Sequence, residues 1–230
     1  MRQFFLAALA ASAAALPARS QSLLENGSFE EPQVTGRTPE SAGGSPMKAG
    51  TPHGWGAFAV SPESAGGQIV AGVTNEIART GKQSMFVDFQ KVTASLRGAV
   101  LRTGQFPIKA GASYRVSIWG RIDRKRPLAL DERRPRMLLE VAFFGADGTS
   151  QAGEPVAGDQ PIPGEIVPAT TPVLTFRTGK WKESFANVTP PDTAAFMRIT
   201  WTVATPQGAG ETDGIIYWDD ASVTEANTPK

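Results

Sequence analysis

Beyond an apolar opening stretch, hydrophobic and polar residues alternate in short runs along this chain, and Gly, Pro, Asn and Asp separate one run from the next. A period of two puts successive side chains on opposite faces of an extended backbone, whereas the 3.6-residue period of an amphipathic helix is almost missing after residue 20. The pattern predicts strands over 23–29, 55–60, 68–74, 84–90, 95–103, 113–123, 136–145, 174–178, 182–188, 195–204 and 214–224. Many short strands at regular spacing, joined by turn residues, define an all-β fold of antiparallel sandwich type. Three segments break the rhythm: 33–52 and 147–172, rich in Gly and Pro, and the charged 124–136. They read as long loop insertions within one domain, the charged one as a solvated excursion.

Alternation also assigns faces. In 113–123 the residues Tyr114, Val116, Ile118 and Ile122 point one way and Arg115, Ser117, Trp119 and Arg121 the other. In 136–145, Leu139, Val141 and Phe143 face inward, leaving Glu140, Ala142 and Phe144 outward. In 195–204 the inward set is Met197, Ile199, Trp201 and Val203, with Phe196, Arg198, Thr200 and Thr202 opposite. In 84–90, Met85, Val87 and Phe89 face the core, and Phe86, Asp88 and Gln90 face away. Several strands therefore pair a dry face with one that mixes aromatic rings with Arg, Asp, Glu and Thr. Sugars present apolar C–H patches ringed by hydroxyls, and proteins meet them with aromatic rings beside bidentate polar groups. Trp119, Arg121, Glu140, Phe144 and Arg198, with Asp88 and Gln90, are the candidate ligand contacts. The abundance of Arg among them extends the candidate ligands to acidic glycans.

Composition narrows the chemistry. Cysteine is absent, so disulfides, thiol nucleophiles and thiolate metal sites are excluded. The single histidine, His53, lies in a Pro/Gly stretch, which argues against a His-based zinc site or a Ser-His-Asp triad. A net charge of +1 gives no electrostatic case for nucleic acid. Residues 1–20 carry Arg2, an apolar run and small residues around Ala18-Arg19-Ser20, the order of a cleavable export signal, and no later segment approaches membrane-spanning length. The expectation is a secreted or periplasmic protein whose residues 21–230 form a single domain.

The two ends of that domain are acidic. LLENGSFEE opens it and GIIYWDDASVTE closes it, and terminal strands of a sandwich often lie together. Carboxylates brought together there would repel one another unless a cation sat between them.

The order LLENGSFEEP, Gly54-Trp55, ARTGKQSMFVDF, ASYRVSIWGRID, GKWKESFANVTPPDTAAFMRITW and IYWDDASVTE resembles carbohydrate-binding modules of families four and nine, within the galactose-binding-like jelly rolls. The resemblance covers residues 23–224. It implies two antiparallel sheets, a sugar-binding groove on one concave face, and a structural Ca²⁺ where the first and last strands meet. Glu30, a carbonyl at Lys82, and Asp219 or Asp220 match the positions that would hold the ion. Asp219, in phase with Ala221 and Val223, is the better candidate for a buried carboxylate.

The resulting expectation is a non-catalytic carbohydrate-binding protein, working alone or beside a separate glycan-degrading enzyme. Two alternatives stay open. The first is a glycan-active enzyme. A glycosidase needs paired carboxylates across the bond, and Glu211 and Asp213 are suitably spaced but sit in a Gly-rich turn, while Glu140 stands alone on its strand. A lyase wants a Tyr or His base in the groove, yet Tyr114 is in phase with the core and Tyr217 sits beside the acidic pair. A cell-surface interaction domain would use the loops 124–136 and 147–172 as its contact.

Overall fold

In the computed structural model the described residues are 21–31, 37–41, 43–46, 54–60, 66–93, 96–129, 136–146, 165–169, 173–174, 176–205 and 210–226. The alternating runs become strands that pair antiparallel throughout into two sheets. Numbered in chain order, a six-stranded sheet runs β1 (Arg37–Ser41), β4 (Gln68–Thr74), β5 (Ser84–Val92), β14 (Thr212–Glu225), β8 (Tyr114–Ile122), β12 (Lys182–Val188). An eight-stranded sheet is built on the order β10 (Glu165–Ala169), β9 (Arg136–Phe144), β13 (Phe196–Thr205), β6 (Leu96–Thr103), β3 (Trp55–Val60), β2 (Gly43–Pro46). Beside this path β11 (Val173–Leu174) pairs with β9, and β7 (Phe106–Pro107) pairs with β13.

The inward sets named from alternation form the interior. Val116 and Ile118 of β8, Val87 and Phe89 of β5, Leu139 and Val141 of β9, and Met197, Ile199 and Trp201 of β13 belong to one buried cluster. Burying a large apolar side chain contributes about 1.5–3 kcal/mol, so this face-to-face packing, rather than the ladders alone, holds the sandwich. Trp55 sits between Phe29 (ring centroids 5.2 Å apart) and Trp201 (5.4 Å), and its Nε1–H donates to the carbonyls of Glu25 and Asn26. Gly120 is bare on the inner side of β8 because the Phe176 ring packs there: a Cβ would lie 2.1 Å from it.

The segment 23–29 is not a strand. Asn26 (φ 45°) and Phe29 (φ 57°) are left-handed, and the Asn26 side chain bonds both the N–H and the carbonyl of Glu31. Such a side-chain-closed turn competes with extended backbone. The segment still lies against the last strand, since Leu23 N–H donates to Val223 O and Ala221 N–H to Gly27 O, each at 2.8 Å. Conversely, stretches read as loops contain β1, β2 and β10. The expected export signal 1–20 and His53 lie outside the described residues. No helix of the described residues is long and apolar enough to cross a membrane.

Candidate functional site

The candidate sugar contacts do not form one constellation. Trp119 and Arg121 are on β8, and Asp88 and Gln90 on β5, all on the outer face of the six-stranded sheet. Glu140 and Phe144 on β9 and Arg198 on β13 occupy the outer face of the other sheet, so the whole core separates the two groups. Strand parity identifies an outward face but not which sheet carries it; strand order decides that, and sequence does not display it. The outer face of the eight-stranded sheet is closed at its centre: Phe144 is 0% exposed, and Ala142, Thr200 and Thr202 are buried. Phe144 is no open platform, and the Arg198 guanidinium stands 4.9 Å from its ring centroid.

The outer face of the six-stranded sheet is partly covered too. Val70, Phe86, Ile215 and Tyr217 make a small second cluster under Ile77 and Trp181. Around this cap the described residues leave pockets, three of which concern the candidate contacts. One, of about 340 Å³, is lined by Ser28, Arg79, Ser117, Trp119, Glu183 and Asp220 among others. The Arg79 guanidinium lies 3.7 Å from the Trp119 ring centroid, so one side of that ring is taken by a cation rather than left bare. A second, of about 510 Å³, is walled by Arg121, Asp123, Arg124, Lys125, Arg126 and Tyr217, with Glu76, Ile77 and Ile215. A third, of about 580 Å³, lies between Gln68, Gln90, Lys91, Arg126 and Asp213, beside Gly67.

Arg126 joins the last two pockets and is the residue sequence reasoning missed. The charged segment does not simply swing into solvent. Asp123 opens it by accepting the N–H groups of Lys125 and Arg126, each at 2.7 Å, and Ile215 N–H donates to Arg126 O. Arg126 then reaches across the sheet to Asp88, Asp213 and the Phe89 carbonyl. Burial lowers its pKa, but the Asp213 and Asp88 carboxylates outweigh that and raise it. Asp88, 4% exposed, is thus an anchor beneath Arg126, while Gln90 bonds Gln68 at the rim. The Asp-initiated turn was the readable signal for this foldback; its partners across the sheet were not readable. For Asp123, burial pushes the pKa up, but the backbone N–H groups of Arg126 and Lys125, the Tyr217 hydroxyl and Arg121 together bring it below the ordinary carboxylate value.

The acidic ends do meet, around the turn 75–83. Glu30 Oε1 accepts the N–H groups of Lys82 (2.9 Å) and Gln83 (3.0 Å), and Gly81 (φ 60°) is needed there because a Cβ would lie 2.2 Å from that oxygen. Asp219 Oδ2 accepts the N–H groups of Arg79 (2.7 Å) and Thr80 (3.3 Å), and its Oδ1 accepts Asp220 N–H. Asp220 holds the Arg79 guanidinium and the Thr80 hydroxyl. These partners do not fit a calcium ion. Ca²⁺ takes oxygen ligands, and here N–H groups and a guanidinium point at the carboxylates instead, with Lys82 offering its N–H to Glu30. Asp219 is fully buried, but not by the phase expected of it. A bulge between Asp219 and Ser222, with Asp220 at φ 47°, resets the strand, so the core receives Ile216 and Trp218, then Ala221 and Val223.

No protein-family model and no curated protein matches the sequence. Solved structures do resemble the fold. A Stig cyclase from Fischerella sp. TAU aligns with a TM-score of 0.51 at 13% identity, over 92% of this chain and 100% of that one. A family-4 carbohydrate-binding module (CBM4) aligns at 0.46 and 14%, over 88% and 99%. The CBM22-1 xylan-binding domain of Paenibacillus barcinonensis Xyn10C aligns at 0.42 and 13%, over 91% and 97%. The two-sheet antiparallel jelly roll implied by the motif order is the fold of this chain. At these identities the likeness concerns the fold alone.

Proposed function

We propose that the chain is an exported carbohydrate-binding protein that holds a saccharide on the outer face of its six-stranded sheet and performs no reaction on it. The observation that carries this reading is the convergence of Trp119, Arg121, Gln68, Gln90 and Tyr217 around neighbouring pockets on that one face. Aromatic surface beside planar, bidentate amide and guanidinium groups is what a sugar's alternating C–H patches and hydroxyls require. The motif order shared with modules of families four and nine supports the same reading, and a non-catalytic binder fits beside a separate glycan-degrading enzyme. A carboxyl with a strongly raised pKa commonly marks a catalytic acid. Asp219 has one, yet it is 0% exposed and both its oxygens hold backbone N–H groups, so it has no access to a ligand.

The test is affinity electrophoresis of the mature protein against a panel of soluble polysaccharides. Retardation by at least one polymer is expected, weakened roughly tenfold (about 1.4 kcal/mol) in Trp119→Ala. Free migration through every polymer, or undiminished retardation of the variant, would sink the proposal.

A further inference from the structure

We infer that the pocket beside Tyr217 recognises the acidic group of a charged saccharide, a carboxylate or a sulfate, with Arg121 as the principal contact. The inference rests on the carbohydrate reading above and names the substrate class within it.

Arg121, Arg124, Lys125 and Arg126 wall this pocket against two carboxylates, Glu76 and Asp123. Their engagements differ. Arg126 is committed to Asp88 and Asp213, outside the pocket's own acids. Asp123 is occupied by two backbone N–H groups of its own loop and by the Tyr217 hydroxyl at 3.4 Å. Arg121 acts on Asp123 through its charge alone, and its buried Nε has no hydrogen-bond partner among the described residues. A buried donor without an acceptor asks for an explanation; several such atoms occur among the described residues, and Arg121 Nε is the one that belongs to a residue lining this pocket. Guanidinium nitrogens in a planar fork match the two oxygens of a carboxylate or sulfate.

The surroundings favour a sugar around that anion. Arg121 pairs across the ladder with Tyr217, whose ring is 3% exposed and forms part of the pocket wall. Two positions along the same strand, about 7 Å away, is Trp119 with its own pocket, which places an anion clamp and an aromatic edge within reach of one short saccharide. Arg124 and Lys125 are exposed at the rim, where they attract an anion before Arg121 grips it. A net charge of +1 makes a general polyanion surface the poorer fit.

The experiment is calorimetric titration of the mature protein with polygalacturonate, dextran sulfate, a neutral xylan and a DNA duplex, at low and physiological salt. One of the two acidic glycans is expected to bind at least roughly tenfold more tightly than xylan and DNA, and which one does so identifies the anion. Arg121→Gln is expected to bring that glycan down to the level of the neutral polymer. The rim double substitution Arg124→Gln/Lys125→Gln, which touches no core residue, should weaken it severalfold and steepen no salt dependence. Xylan bound as tightly as either acidic glycan overturns this inference and leaves the carbohydrate reading standing. Binding of no glycan at all overturns both. DNA bound as tightly as the acidic glycan, or a preference that survives both variants, also overturns it.

Discussion

Asp219 concentrates much of the local energetics of this fold. Burial pushes its pKa up to about 7, the Arg79 N–H pulls it down, and the charge of Asp220 raises it again. In the unfolded chain the same group titrates near 3.8. The folded state therefore keeps a proton that the unfolded chain has released between these values. The stability this proton confers is fully present below about pH 4 and is lost as the pH rises through about 7. Urea midpoints at constant ionic strength should register a loss over that window of up to about 1.4 kcal/mol per pH unit, and Asp219→Asn should flatten it. Equal slopes in the two proteins would show that the carboxyl does not titrate there. That Asp219 is buried was legible in the sequence; how it is buried was not, because the bulge at Asp220 breaks the parity count on which the expectation rested.

At the level of elements, period-two alternation located most strands, and β3, β4 and β12 fall on the predicted bounds. It failed where short-range chemistry overrides alternation. Asn26 bends 23–29 into a turn through its own side chain, and β1, β2 and β10 carry Gly, Pro or polar residues that look like loop yet pair at sheet edges. The turn 75–83 shows the same limit for chemistry. The structure places Glu30, Lys82, Asp219 and Asp220 around this turn, where backbone donors and Arg79, which no sequence pattern displays, satisfy the carboxylates. Melting temperature should accordingly be the same, within error, in excess EDTA and in excess CaCl₂. A clear rise with calcium, saturating at one equivalent, would mean that the turn rearranges to offer carbonyls.

The whole molecule turns on which sheet presents which face. Composition and alternation made the sandwich legible, since every inward set named from parity is found in the core. They also combined Trp119 with Glu140 and Arg198, which lie on opposite sides of it, because pairing order is a long-range property that no local window records. This separation gives a direct comparison of the two faces. Arg198→Ala, on the eight-stranded sheet, should leave glycan retardation within about twofold, about 0.4 kcal/mol, whereas Trp119→Ala on the other sheet weakens it. A larger loss in Arg198→Ala than in Trp119→Ala would move the binding face to the eight-stranded sheet.

The bridge made by Arg126 has a consequence for the spacing of the two pockets it separates. Its side chain is a wall shared by the Tyr217 pocket and the Gln68–Gln90 pocket, and it is pinned from below by Asp88 and from the side by Asp213. The two compartments therefore have a fixed partition, and neither can widen at the other's expense without breaking those ion pairs. A ligand that occupied both would have to step over this partition, so its two ends would be held a fixed distance apart.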